Sequence, residues 1–563
     1  MTTTARACVP LVIGLAILIL HGGCRPTRAA LPKAAVPGAE ARHPNFRDRA
    51  AEAGLSFRWG HGGRSPLNIL DTAGGGCGFI DYDGDGRLDI VLVGKTVALY
   101  HNEGSGRFRD VSAGSGLTVH GTLMGVAVGD FDNDGKPDLF ITGYGVERLY
   151  RNAEGTGVFE DVTARSGIRA RSPASWATSA GFADLDGDGR LDLVVCHYVL
   201  FTPKLREFCD YPATPSGRVR AACPPLYYEP QKTAVYRNRG SGRFEDVTAR
   251  LPPGHGNSLG LAFADYDDDG RMDFYVANDG QPGDLYHNLG GWKFENVGAR
   301  SGTAYTQDGR DQAGMGADWA DYDGDGRLDL IVGTFQDEPR SLYHNEGGGL
   351  FTYASYLAGI GDLTKSRLAF GGGFIDYDND GFPDLLFANG HVQDTIARMR
   401  PGVTYAQTLQ LFHNDGNGAF SEVGNQAGEA FAKSIVGRAA AFGDYDNDGK
   451  LDALIVNLEG APLLLHNETA NSNHWMGIRL VTASGKRDAI GGRVVLEMVK
   501  GRSIAESQSC RSYLASCDPR VHFGLGAESR ISRLKVRWPS GKSTVQTDVA
   551  ADRYITISEK EAH

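Results

Sequence analysis

The sequence predicts an all-β fold: a seven-bladed β-propeller followed by a small β-sandwich-like C-terminal domain. Three observations predict it. The pattern D-x-D-x-D-G-x-x-D occurs seven times. Each copy sits in the same series of four short β-type segments. The last copy lacks its fourth segment, and an unattached one stands near the N-terminus.

The copies read DYDGDGRLD from Asp81, DFDNDGKPD from Asp130, DLDGDGRLD from Asp184 and DYDDDGRMD from Asp265. They continue as DYDGDGRLD from Asp321, DYDNDGFPD from Asp376 and DYDNDGKLD from Asp444. Successive starts are 49, 54, 81, 56, 55 and 68 residues apart, the longest intervals holding insertions. Recurrence of this kind marks a repeat array, which lets 563 residues form one body. Gly, at 77 residues, is about twice its usual share and suits many turns and short strands.

Before each copy runs a Gly-rich apolar segment, such as GGGCGFI, MGVAVG or SAGFA. After it comes a β-branched one, such as IVLVG or LIVG. A third follows with the marker Tyr-x-Asn in most copies: LYHN at Leu99, LYRN at Leu149, VYRN at Val235 and LYHN at Leu285. The fourth reads RFRDVS, VFEDVT, RFEDVT or KFENVG. Four strands per repeat, repeated seven times, make a propeller, here expected over residues 45–469. The last repeat stops at LLLHN from Leu463, while NFRDRAAEAGLSF from Asn45 supplies the missing type of strand. That strand is expected to complete the last blade and lock the ring.

The aspartates themselves point to a cation. Oxygen donors at positions 1, 3 and 5 with Gly at 6 match the first half of an EF-hand calcium loop. Gly permits the sharp turn there. Position 7 can add its backbone carbonyl, and position 9 is Asp in every copy. The first set is Asp81, Asp83, Asp85, the carbonyl of Arg87, and Asp89. The second and third are Asp130, Asp132, Asp134, Lys136 and Asp138, then Asp184, Asp186, Asp188, Arg190 and Asp192. The fourth and fifth are Asp265, Asp267, Asp269, Arg271 and Asp273, then Asp321, Asp323, Asp325, Arg327 and Asp329. The sixth and seventh are Asp376, Asp378, Asp380, Phe382 and Asp384, then Asp444, Asp446, Asp448, Lys450 and Asp452.

The EF-hand Glu at position 12 and the flanking helices are missing, so these are expected calcium loops between strands. Asp-Gly and Asn-Gly also form turns unaided. Seven copies, each with all four aspartates, argue against plain solvated turns. Magnesium keeps its waters and seldom fills a loop of protein oxygens. Up to seven Ca²⁺ are therefore expected, and they would offset the formal charge of −12. Such an acidic chain does not suit nucleic acid.

Residues 1–24 read as an export signal, with Arg6 ahead of an apolar run from Val9 to Leu20 that is too short to span a bilayer. Gly22 and Gly23 before Cys24 resemble a bacterial lipobox, although His21 stands where Leu is usual. Cys24 is then a lipidation site, with plain signal cleavage as the alternative. Residues 25–44 are rich in Pro and Ala and suit a tether. The chain is expected to be exported, either as a lipoprotein on the outer surface or in the periplasm, or secreted. An exported chain can form disulfides. Cys209 and Cys223 share one insertion and are the expected pair; Cys510 and Cys517 could close a short loop. Cys77 and Cys196 lie in apolar runs and read as buried thiols.

From Asn473 the repeat ends, and RVVLEMV, ISRLKVRW and YITISE alternate like half-buried strands, giving a second domain over 470–560. Its motifs NHWMGIRL at Asn473, RDAIGGRV at Arg487, DPRVHFGLG at Asp518 and VRWPSGK at Val536 resemble the ASPIC/UnbV domain. The repeats resemble FG-GAP/VCBS repeats, the blades of the integrin α-subunit propeller. Together they resemble the cartilage acidic protein family and its bacterial relatives over nearly the whole mature chain. That resemblance implies calcium in the blade hairpins, at the aspartates named above. RDAIGGRV departs slightly from the usual RDGIGARV-like form. Trp475 and Trp538 read as core, with Asn473, His474 and Arg537 satisfying turns.

For function, a binding or adhesion scaffold with calcium-fixed blades leads. Its partner would be a protein or glycan on one propeller face, with insertions Tyr198 to Pro230 and His391 to Gln410 decorating it. Tyr211, Tyr227, Tyr228 and Tyr405 are the aromatics expected to engage it. A calcium-dependent, lyase-like enzyme acting on polysaccharide is the alternative, and a passive spacer for the C-terminal domain a third. No catalytic constellation assembles. Ser258 lies in a G-x-S-x-G string but leads into a strand rather than a nucleophile elbow. His255 and His391 fall in inter-strand loops.

Overall fold

The computed structural model describes residues 43–563; the expected export signal, Cys24 and nearly all of the expected tether lie outside the described residues. Seven antiparallel blades of four strands carry the seven aspartate loops, one each, and the sheet of blade 1 gains a fifth, parallel strand, Ala515–Ser516. In blade 1 the first strand, Gly76–Ile80, pairs with Asp89–Val93, which pairs with Val97–Gly104 and then Arg107–Asp110. The first strands of successive blades pack side by side, and that of blade 7, Gly437–Gly443, packs against that of blade 1. The ring is closed.

Closure uses the N-terminal strand. Phe46–Asp48 pairs antiparallel with Leu463–Asn467, supplying the fourth strand that blade 7 lacks in its own repeat. Phe46 is buried there against Phe431 and Tyr377.

The Gly-rich first segments have a steric cause. Seven inner strands converge on one axis, and backbones approach where a side chain would stand. A Cβ on Gly260 would lie 1.9 Å from the Met315 carbonyl oxygen of the next blade.

The C-terminal domain is a two-sheet sandwich. His474–Val481, Val521–Gly526 and Arg553–Ser558 form one sheet; Arg493–Met498, Gly501–Glu506, Arg530–Arg537 and Ser543–Ala550 form the other. Met476, Ile478, Val494, Leu496, Leu534 and Trp538 fill the space between them.

This domain is not simply appended. Its segment 507–518 threads the centre of the ring and touches the inner strand of every blade. Ala515 pairs in parallel with Cys77 of blade 1. Ser509 Oγ donates to the Val128 carbonyl of blade 2 (3.0 Å), and the Leu514 N–H to Ser179 Oγ of blade 3 (3.1 Å). Cys510 Sγ reaches the Leu261 carbonyl of blade 4, and the Ser512 N–H donates to the Ala317 carbonyl of blade 5 (2.7 Å). The Gly372 N–H of blade 6 donates to Ser512 Oγ, and the Phe442 N–H of blade 7 to Cys517 Sγ. Tyr513 OH reaches the Ala73 carbonyl ahead of blade 1 (2.7 Å).

The expected Cys510–Cys517 bridge is therefore corrected. Both thiols are free and buried, because the plug carries one to blades 3 and 4 and the other to blade 7. Cys209 and Cys223 are joined, across the hairpin Cys209–Pro212 and Arg218–Ala221. That hairpin lies on the face opposite the aspartate loops, in contact with the second insertion: the Thr214 N–H donates to the Arg398 carbonyl. Of the four tyrosines expected to engage a partner, Tyr227 is exposed (52%). Tyr228 is buried against Phe201, Tyr405 packs on the core, and the Tyr211 hydroxyl donates to the Ala222 carbonyl.

Candidate metal centre

Each aspartate loop joins the first and second strands of its blade. Its backbone is shaped by the carboxylates, as blade 5 shows. Asp321 accepts from the N–H groups of Asp325 (3.0 Å) and Gly326 (3.0 Å). Asp325 accepts from the Arg327 N–H (2.9 Å), and Asp329 from Tyr322 (3.2 Å) and Asn345 (2.7 Å). Gly326 has a φ of 89°, which explains Gly at position 6.

These bonds fold the loop but do not neutralise it. Burial pushes Asp89, Asp192 and Asp452 up to about 8, Asp273, Asp321 and Asp444 to about 7, and Asp130 and Asp329 to about 6. Carboxylates so desolvated favour the neutral form unless a positive charge joins them. Oxygens remain to receive one: Asp81 Oδ1, Asp267 Oδ1 and Asp273 Oδ2 are buried without a hydrogen-bond partner. Asp273 itself is wholly buried. A hard cation wanting several oxygens fits this donor set.

The Tyr-x-Asn marker, whose role sequence reasoning missed, serves the same loops. Its Asn donates to the carbonyl at position 2 of the preceding blade's loop, seven times around the ring. Asn102 reaches Tyr445, Asn152 reaches Tyr82 and Asn238 reaches Phe131. Asn288 reaches Leu185, Asn345 reaches Tyr266, Asn414 reaches Tyr322 and Asn467 reaches Tyr377. The middle residue lies over the carboxylates. It is His in five blades, with Nδ1 3.2–3.3 Å from the position-9 oxygen: His101, His287, His344, His413 and His466. Groups such as Asp83, Asp85 and His101, or Asp323, Asp329 and His344, place one donor atom each within 4.8 Å of one another. The Asp329 carboxylate, 3.2 Å from Nδ1, holds His344 up at about 9. In blades 2 and 3 the middle residue is Arg151 or Arg237.

The C-terminal domain covers this face. Tyr554 OH donates to Asp444 Oδ2 (2.8 Å) and Arg520 to the Asp444 carbonyl (2.8 Å). Arg493 pairs with Asp268 (2.8 Å), Arg537 with Asp265, and Arg487 donates to the Gly189 carbonyl (3.0 Å). Lys500 and Asn473 donate to the carbonyls of Asp380 and Asp378. Asn473 and Arg537, read from sequence as turn residues, are docking residues. Trp538 is core, with Nε1 donating to Thr544; Trp475 stacks on His522 at the interface. A cavity of about 980 Å³ remains between the domain and the loops of blades 5 and 6, with Arg511 and Asp318 on its wall.

Of the three residues weighed for catalysis, Ser258 and His255 are linked through Asn278 and Asp284. Ser258 is buried in a strand, donating to Asn278 Oδ1. His255 pairs with Asp284 at 2.6 Å. His391 is buried, its Nδ1 accepting from the Gln393 N–H.

The matched families agree with this architecture. The family described as FG-GAP-like repeat matches at residues 81–141, 130–195, 226–276, 265–332, 321–387 and 393–455. The chain belongs to the FG-GAP-like repeat family. The ASPIC and UnbV family matches residues 482–563, the sandwich that covers the FG-GAP loops. Cartilage acidic protein 1 of Mus musculus is 24% identical over 517 residues, covering 86% of this FG-GAP chain and 73% of the relative. The Xenopus tropicalis protein of that name is 24% identical, covering 83% and 70%. Among solved structures, the BP39L lectin from Burkholderia pseudomallei aligns at 10% identity and a TM-score of 0.43, covering 71% of this chain and 97% of the lectin.

Proposed function

We propose that this protein is an exported binding scaffold whose blades are fixed by Ca²⁺ in the aspartate loops, and which offers its opposite face to a protein or glycan. One observation carries the metal reading: buried carboxylates converge in each loop, pushed up by burial, with the Asp273 oxygen wholly enclosed and unpartnered. Calcium would supply charge, not chemistry. The chain's own residues orient the ligand oxygens through backbone N–H groups and tie neighbouring loops through the Tyr-x-Asn asparagines.

Because the C-terminal domain occupies the loop face, the partner face is the other one. There the two insertions meet, and Leu226 (71% exposed) and Tyr227 stand out beside the Cys209–Cys223 bridge. Export is supported by the charged and apolar N-terminal run, by that disulfide, and by relatives named for cartilage. Among the described residues no helix is long and apolar enough to cross a membrane.

The test is calorimetric titration of chelator-treated protein with Ca²⁺ and, separately, Mg²⁺. Saturable heats with calcium, absent with magnesium at equal concentration, are expected. No calcium binding would remove the proposal.

A further inference from the structure

We infer that the loops of blades 2 and 3 are closed by arginine and take no metal, so that calcium fills five loops rather than seven. This rests on the calcium reading above. The observation is the residue in the middle of Tyr-x-Asn.

In five blades it is His, set 3.2–3.3 Å from the position-9 carboxylate and 3.4–4.0 Å from the position-3 one. A guanidinium is a fixed positive charge, because it stays protonated in proteins. In blade 2, Arg151 bridges the carboxylates at positions 3 and 5: Nε lies on Asp132 and Nη2 is 2.7 Å from Asp134. In blade 3, Arg237 Nη2 is 2.6 Å from Asp186 Oδ2 and 3.6 Å from Asp188 Oδ2. Trp292 Nε1 donates to the same Asp186 oxygen (2.7 Å), and Arg190 holds Asp188 as well. Asp186 Oδ1 is the one buried oxygen there that keeps no partner.

Two other sets of arginines do not discriminate between loops. Position-7 arginines also hold position 5 in His-bearing loops, as Arg87 holds Asp85 and Arg327 holds Asp325. They reach one carboxylate only and leave position 3 open. Arginines of the C-terminal domain bear on position 1 in both kinds, Arg537 on Asp265 of a His loop and Arg487 toward Asp130 and Asp184 of the Arg loops. What separates blades 2 and 3 is a fixed positive charge across positions 3 and 5, where a divalent cation would have to sit. Like charges so placed repel strongly in a partly buried loop.

The experiment counts bound calcium in the intact protein by elemental analysis after equilibrium dialysis against saturating Ca²⁺. Five per chain is expected. Zero would end the calcium reading itself; any other number would overturn this inference and leave that reading standing. The double variant Arg151→His, Arg237→His should rise to seven, and His344→Arg should fall to four. A double variant that stays at five would show that the arginines do not exclude the metal. If it does not fold, the His344→Arg count decides alone: unchanged stoichiometry there overturns the inference.

Discussion

Asn345 shows how much one side chain of the repeat is asked to do. Its amide donates to Leu328 within its own blade and to Tyr266 in the preceding one, both at 2.9–3.0 Å, while its N–H holds Asp329. Replacing it by Ala leaves two buried carbonyls without donors, each costing about 1–3 kcal/mol. Asn345→Ala should therefore lower stability by about 2–6 kcal/mol in chemical denaturation, whereas exposed Asn417→Ala should barely register. His391 carries a separate, pH-dependent effect. Burial, helped by the charges of Arg438 and Arg400, holds it down to about 3. A depressed histidine stabilises the fold above its unfolded value near 6.5 and loses that contribution as pH falls toward 3, by up to about 1.4 kcal/mol per pH unit. Denaturation midpoints measured at pH 7 and pH 4.5 should differ less in His391→Gln than in the parent protein.

Among the elements, the plug at 507–518 is the one on which the two domains depend. The walls around it are too close for larger side chains: a Cβ on Gly181 would lie 2.5 Å from Cys510 Cβ. Gly181→Val should push the plug from its seat while leaving the other blades folded. Limited proteolysis should then cut within 507–518, a region that stays resistant in the parent protein. Tyr513→Phe, which loses one buried hydrogen bond to Ala73, should cost about 1–3 kcal/mol and leave the plug in place by the same assay.

For the whole molecule, the ring was legible because repetition multiplies a weak signal. One D-x-D-x-D-G string is ambiguous; seven with the same four neighbours define blades, and the stray strand at Asn45 announced its own pairing with Leu463–Asn467. The plug was not legible. QSCRSYLASC has no strand period of its own, and partners such as Phe442 and Val128 lie in blades 75 and 381 residues away. Local spacing suggested that Cys510 and Cys517 close a loop, whereas the channel holds them toward different blades. The His and Arg of Tyr-x-Asn were visible as letters, but each meets its carboxylates only after the chain has run a full strand and turned back. The C-terminal domain could be bounded by composition, yet its arginines gave no hint that they face the aspartate loops.

At the level of the molecule, calcium should matter more than any single contact. With a dissociation constant of about 0.1 mM, 2 mM Ca²⁺ contributes about 1.8 kcal/mol per filled loop. Several loops together then rival the net stability of an ordinary domain. Thermal unfolding of chelator-treated protein across a calcium titration, with metal content measured on the same sample, addresses this most directly. The melting temperature should rise by many degrees by millimolar calcium and not with magnesium. A metal-free sample whose melting curve ignores calcium would contradict the account.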